Sequence, residues 1–599
     1  MNRLVGCLTR GAKPQGNRLE AAVGRGLGER LVEGDLALAW RPGRDLAVRR
    51  SDGVVCAVAG RPQRNDRGAA DPDATATEIA SAYARAGAAC LDGLHGAFAI
   101  LVWDGGRGHG LLAVDPLGTT SIVFHQTPKR LLFALELADL LPVLDRRPPP
   151  NDSAVAQWLA NGTIARDETL YSGVDRLEGG HLLELRSPGW SKRRYWQPEY
   201  IPPDQAPREE HERRLREAIG RAVARRSTGE STSGVLLSGG LDSAVVAAVA
   251  APLVPDLRAY SLVFPAHSEV DEEALIEDVA RELGIPSRRV PVRGGGMLAA
   301  ALDYLREWRT PPVSPNLAVQ RPLLELAAGD GATTLLDGQG GDELFGSSLY
   351  LLADLVRSRN PFRAVELSRR IEGIPEELRT RAARRALYEF GLKEALPGRV
   401  RSFTRRIRRP RRPVGPPWLS DAASRTLAAA DDPSRWVRTD GPRWWAHLAD
   451  ELTAQRERAG AHEYLRHRNA MSHVCGAHPF LQDLELIQLV LRLPPELAFD
   501  RRYDRPLLRS AMNSVVPDRV RLRAEKSFFT PLFVEALSVH DHAKIRELLT
   551  ASDAEIRAYA RPEVVRERLL DAPAAQRGGS WAWALWRVVM LECWLRGER

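Results

Sequence analysis

The stretch 234–250 constrains this chain more than any other. An apolar strand-forming run (Gly234 to Leu237) leads into Ser238-Gly239-Gly240-Leu241-Asp242-Ser243 and then into the apolar run Ala244 to Ala250. A short strand, a glycine-rich turn and an apolar helix can all be buried only in a parallel sheet covered by helices. The pattern recurs downstream, with strands at 258–264, 287–292 and 332–336 and a helix at 272–283. That alternation predicts an α/β domain with helices on both faces of a parallel sheet. The turn is also chemically pointed. Bare glycines let the backbone approach a phosphate, and the helix N-terminus offers free N–H groups and a favourable dipole. Ser238 and Ser243 add hydroxyl donors. Asp242 repels a naked phosphate, so it makes sense as a ligand of Mg2+ carried on that phosphate. The Gly-Lys-Ser/Thr ending of a Walker loop is missing.

A second cluster, Asp337-Gly338-Gln339-Gly340-Gly341-Asp342-Glu343, follows the strand 332–336. It belongs at the carboxyl edge of the same sheet, where open α/β sheets bind ligands. Asp342 there is a second candidate carboxylate for Mg2+-pyrophosphate, and Gly338 permits close approach to a nucleotide. Standing alone, the segment would read as an acidic turn.

The first 200 residues read differently. Short or alternating apolar runs at 36–40, 54–59, 97–103, 110–114 and 131–135, separated by Gly- and Asp-containing turns, predict strands. Helical patterns fall at 74–86 and 153–161. A connector rich in proline and acidic residues (197–210) places a domain boundary near residue 205, giving domains 1–205 and 206–599. Residues 350–460 look helical and basic, and the rest of the chain helical. The densest arginine stretch, 399–412, reads equally as an acidic-partner contact or an exposed loop. A net charge of +8 admits an anionic partner or an arginine-rich surface. No recognisable RNA-binding module accompanies it, so nucleic acid is not expected. Five scattered cysteines without a CxxC pair indicate neither zinc nor a disulfide framework. No run of about 18 residues is apolar enough to span a membrane, and no signal peptide opens the chain, so a cytoplasmic enzyme is expected.

The motif at 238–243 resembles the PP-loop of ATP pyrophosphatases. From Leu91 to Arg599 the chain resembles the asparagine synthetase B group of ATP-dependent amide synthetases. The matching pieces occur in order: Leu94-His-Gly96-Ala-Phe98-Ala99, Trp103-Asp104, Val114-Asp115-Pro-Leu-Gly118, Phe133-Ala-Leu-Glu136, Thr169-Leu-Tyr-Ser-Gly-Val and Tyr195-Trp196. Then come the PP-loop, 337–343, Pro479-Phe480-Leu481, Leu493-Pro494 and Arg521-Leu-Arg-Ala-Glu-Lys526-Ser-Phe528. The resemblance implies an N-terminal Ntn-hydrolase-like (glutaminase-like) αββα sandwich and a C-terminal PP-loop synthetase. It implies ATP and Mg2+, with Asp242 and Asp342 on the metal. Leu236, Ser238, Gly239, Gly240, Ser243, Leu262 and Gly338 fall at its nucleotide positions. Lys526 matches the group's lysine that stabilises the oxyanion and phosphates.

The departures narrow the expectation. A working glutaminase of this group carries cysteine directly after the initiator methionine; here Asn2 stands there, and an amide is no nucleophile. The N-terminal domain is therefore expected to be degenerate, the acceptor nitrogen arriving with the substrate. Gln339 replaces the group's usual glutamate and cannot act as a base. Cys475, Ala477 and Gln482 replace expected charged residues, which argues against free aspartate. Within the group, chains lacking the cysteine include β-lactam synthetases and lasso-peptide cyclases. The length, the Gln339-Gly-Gly-Asp-Glu343 variant and the basic 350–460 region look more like the cyclases. The expected reaction is thus macrolactam formation on a linear core or precursor peptide, with a leader peptidase and a recognition protein as implied partners. A β-lactam-synthetase-like small-molecule cyclisation, a glutamine-hydrolysing asparagine synthetase, a tRNA-modifying enzyme and a nucleotide-binding scaffold are the alternatives.

Overall fold

The structure is a computed structural model. It describes residues 3–597 apart from 10–15, 25–27, 65–71, 166, 187–188, 228–232, 373, 375, 397–414, 431–439, 454–455 and 526. The arginine-rich stretch 399–412, Asn2 and Lys526 thus lie outside the described residues.

The N-terminal half is built from two six-stranded antiparallel sheets. In spatial order the first holds Val174–Arg176, Val123–Gln126, Arg130–Ala134, Arg3–Thr9, Leu36–Arg41 and Glu29–Glu33. The second holds Gly189–Arg194, His181–Arg186, His109–Val114, Phe98–Asp104, Val54–Gly60 and Leu46–Ser51. Strand Phe98–Asp104 shows why they stack. Ala99, Leu101 and Trp103 face the other sheet, packing with Leu38, Trp40 and Phe133. Phe98, Ile100 and Val102 face outward onto Ile79 and Ala80 of helix Pro72–Ala86. A strand covered on both faces reads as a continuous apolar run. Helices Gly16–Val23 and Asp152–Asn161 cover the outer face of the first sheet. The result is the αββα sandwich that the resemblance implies.

The C-terminal half carries a five-stranded, wholly parallel sheet in the order Ser287–Pro291, Arg258–Val263, Ser233–Leu236, Thr334–Leu336 and Cys475–Ala477. The last strand corrects the expectation that the C-terminal remainder is helical. Three residues, one of them Gly476, are too few to leave a period-2 signal. Helices Arg208–Ser227 and Leu241–Ala250 cover one face, while helix Leu317–Gly329 covers the other.

The two halves share a core. Val5, Val155 and Trp158 pack in one cluster with Met297, Phe533 and Trp586 of the C-terminal half. Polar contacts cross the same boundary. Glu136 accepts from Arg466 Nε (2.9 Å) and His467 Nε2 (2.8 Å), and Arg176 pairs with Glu463 at 2.8 Å. Among the described residues, no helix is long and apolar enough to cross a membrane.

Candidate functional site

The PP-loop turn joins the central strand Ser233–Leu236 to helix Leu241–Ala250. Ser243 braces it from within: its hydroxyl donates to the Gly240 carbonyl (3.1 Å), accepts from the Ser238 N–H (3.2 Å) and lies 3.0 Å from the Ser238 hydroxyl. Ser243 is therefore a buried brace, whereas Ser238 is exposed toward the cavity.

The loop 337–343 comes off the neighbouring strand and closes on Asp242. A Cβ on Gly338 would sit 2.5 Å from the Asp242 carbonyl carbon, and one on Gly341 would sit 2.3 Å from Asp242 Cγ. Only glycine lets the two loops meet this closely. Asp337 anchors the second loop from below: it is buried, accepts from His478 Nδ1 at 2.7 Å and from the Gln339 N–H at 3.1 Å, and lies 3.7 Å from Arg468. Burial alone would raise its pKa; the charge and hydrogen bond of His478, with Arg468 and the Gln339 amide, more than offset that and hold it below the ordinary range.

Between the two loops lies a cavity of about 350 Å3. All the nucleotide positions expected from the sequence line it: Leu236, Ser238, Gly239, Gly240, Asp242, Ser243, Leu262 and Gly338, together with Gln339 and Asp342. Glu525 and Ser527, the sequence neighbours of Lys526, line the cavity. Cys475 and Gln482 do not line it. Cys475 lies against Asp45 of the N-terminal domain (3.7 Å), and Gln482 accepts from the His478 backbone (3.1 Å). Their departure from the group's pattern therefore bears on the cavity only indirectly.

The sequence reading missed the cation at the centre. Arg505 is 7% exposed, and its Nη1 contacts Asp242 and reaches Asp342 at 2.9 Å. Its Nη2 pairs with Asp504, which also holds Arg509. Asp504 is thereby kept below the usual carboxylate range: burial would raise it, and the two guanidiniums outweigh burial. Arg505 sits in the left-handed region (φ 50°) immediately before helix Pro506–Ala511. Beyond it, Arg523 pairs with Glu272 beside the PP-loop and donates to Ser527 at 3.0 Å. One arginine among 85 lysines and arginines carries no local mark of burial, so only the fold could single it out.

The placement of Arg505 tests whether these residues suit Mg2+. Two carboxylates from different loops converge on one cationic nitrogen, and both offer the hard oxygen donors that Mg2+ takes. The donor set fits, and Asp242 and Asp342 are the residues that would hold the ion. A second set of acidic and imidazole groups, Glu136, Glu463 and His467, also lies close together. Arg466 and Arg176 already neutralise its carboxylates, so it acts as an interdomain lock.

No cysteine of the N-terminal domain is placed to act as a nucleophile. Cys7, Cys56 and Cys90 are buried. Burial pushes the Cys7 thiol up to about 11 and the Cys90 thiol to about 12, and raises Cys56 further. The reactive form of a thiol is its anion, which these sites suppress.

Comparison with known proteins agrees with this geometry. The asparagine synthase family model matches residues 214–596, and the glutamine amidotransferase domain model matches 65–196. The chain is 26% identical over 484 residues to a putative glutamine-hydrolyzing asparagine synthetase of Mycobacterium bovis, covering 77% of this chain and 71% of that one. It is 24% identical over 531 residues to amidase chry2 of Gibberella zeae, covering 80% and 75%. Over 262 residues it is 26% identical to asparagine synthetase 1 of Bacillus subtilis, covering 42% and 40%.

Proposed function

The chain belongs to the asparagine synthase family and forms amide bonds at the expense of ATP, and we propose that it does so within a single peptide substrate, closing a macrolactam. The observation that carries the adenylation chemistry is the convergence of Asp242 and Asp342 at the mouth of the PP-loop turn. A carboxylate oxygen of an Asp or Glu side chain attacks the α-phosphorus of ATP, and the bond to the β-phosphate oxygen breaks. The turn's N–H groups and Ser238 receive the departing pyrophosphate. Mg2+, when bound, supplies charge neutralisation of that leaving group. The peptide's N-terminal amine then attacks the acyl carbon, AMP leaves and the amine gives up a proton. Lys526 is proposed to stabilise the tetrahedral oxyanion. Gln339, lining the cavity, can orient a substrate by hydrogen bonds but takes no proton.

Two observations support a peptide over ammonia transfer to aspartate. The N-terminal domain's cysteines are buried with suppressed thiolates. At the cavity Phe529 packs on Phe264 (centroids 5.0 Å apart), and the neighbouring Phe528 is exposed. A peptide side chain would bury these rings, which free aspartate, with two carboxylates and an ammonium group, would not. Asparagine formation is the second reading, favoured by the names of the relatives.

The deciding experiment measures pyrophosphate release from ATP. Linear peptides with a free N-terminus and an internal Asp or Glu would be compared with glutamine plus aspartate, using wild type and Asp242→Asn. Peptide-dependent release with a product lighter by one water supports macrolactam formation. Turnover with glutamine and aspartate alone refutes it.

A further inference from the structure

We infer that a cavity between the two domains is a second binding site, for a small organic carboxylate with an apolar body. The cavity measures about 280 Å3 and is distinct from the nucleotide site. Trp158 of the N-terminal domain and Tyr304 and Trp583 of the C-terminal half supply aromatic walls. Flat aromatic surfaces of this kind bury an apolar body with little loss of side-chain entropy. A volume at the low end for ligand pockets suits a small molecule.

The charges in the cavity select the sign of the ligand. Glu463 is neutralised by Arg176 at 2.8 Å, and Glu168 accepts from the Gln157 amide at 3.0 Å. Arg587 is different. Its Nη1 donates to the Ala160 carbonyl at 2.9 Å, and no carboxylate among the described residues pairs with it. Burial lowers its pKa. The Nε of Arg176, itself buried, also has no hydrogen-bond partner. A guanidinium held in a partly closed, aromatic-lined cavity is costly to keep unpaired. Its fork of donors matches a carboxylate bidentately. The backbone fixes the position of Arg587: Trp158 Nε1 donates to the Arg587 carbonyl at 3.3 Å, and Gly162 leaves room for the guanidinium that a side chain would take.

Isothermal titration calorimetry on the full chain tests the site, using phenylacetate, phenylalanine and phenethylamine as probes, each with and without saturating ATP. Phenylacetate, phenylalanine or both should bind at one site per chain, unaffected by ATP, while phenethylamine should not bind. Which acid binds distinguishes a simple carboxylate from a free amino acid. Arg587→Met should weaken the acid by ~10-fold or more, the loss expected for a charge-assisted hydrogen bond. Ala461→Phe, which fills the cavity from its wall, should do the same if Arg587→Met does not fold. Both variants should keep wild-type affinity for ATP. The inference is overturned if neither acid gives saturable heat, if phenethylamine binds as well as the acids, if ATP displaces them, or if both variants bind like wild type.

Discussion

Replacing Arg505 by methionine isolates the electrostatics of the site. Methionine keeps most of the buried stem and removes the charge. In the wild type one Nη1 contacts both Asp242 and Asp342. Without it the mutual repulsion of the two carboxylates, present in both proteins, loses the cation that offsets it. The two arms of the bridge are unequal. Asp242 is 16% exposed on its side chain and Asp342 is 46% exposed, so solvent screens much of the Asp342 arm. The screened arm is worth at most about 1 kcal/mol, and the Asp242 arm about 2–3 kcal/mol as a charged, mostly buried hydrogen bond. The variant without divalent ions should therefore be less stable by about 3 kcal/mol, seen as a lower thermal midpoint. Adding Mg2+ with pyrophosphate should restore more stability to the variant than to wild type, because the ion no longer competes with the Arg505 guanidinium for the two carboxylates. Thermal melts of both proteins, with and without those additions, read the effect. Equal midpoints without Mg2+, or equal stabilisation of both proteins by Mg2+ and pyrophosphate, would refute the reasoning.

Other perturbations separate the remaining links. Gly338→Ala should lower kcat/KM for ATP by ~10²-fold, because the new methyl pushes the two loops apart by a good fraction of an ångström; steady-state pyrophosphate release checks it. Cys7→Ala should leave turnover with the true substrate unchanged, and a loss of glutamine-dependent product in that variant would restore a glutaminase role to the domain. Glu136 is held down to about 2: burial would raise it, and Arg466 and His467 outweigh burial. Its folded pKa lies below the unfolded value, so its stabilisation is present above about pH 4.5 and is lost as pH falls toward 2. Glu136→Gln should therefore be less stable at pH 7, with the gap to wild type closing across that acid window in denaturation scans.

The two loops of the nucleotide site were legible in sequence because local rules write them. A strand, a glycine-rich turn and a helix are contiguous, and every residue type in Ser238 to Ser243 answers to its neighbours within five positions. The double-sided burial of Phe98–Asp104 was legible for the same reason. What local reading missed is non-local. Strand Cys475–Ala477 is a strand only because Thr334–Leu336 lies beside it, over a hundred residues earlier in the chain. Arg505 is functional only because the fold brings it to Asp242, 263 positions away.

That division bears on how the site operates. The parts written locally are those proposed to bind what all nucleotides share: phosphate, through backbone N–H groups and the Ser238 hydroxyl. The parts written non-locally, Arg505 with Asp504 and Arg509 on one side and Arg523 with Glu272 on the other, depend on the C-terminal segment 504–527 lying against the PP-loop. The Arg523 pair joins that segment to the start of helix Glu273–Glu282, and the other two join it to itself. Loosening the segment would take Arg505 away from Asp242 and Asp342 while leaving the turn intact. Mg2+ bound at Asp242 and Asp342 would compete with Arg505 for them, which would couple nucleotide binding to the hold of this segment on the PP-loop.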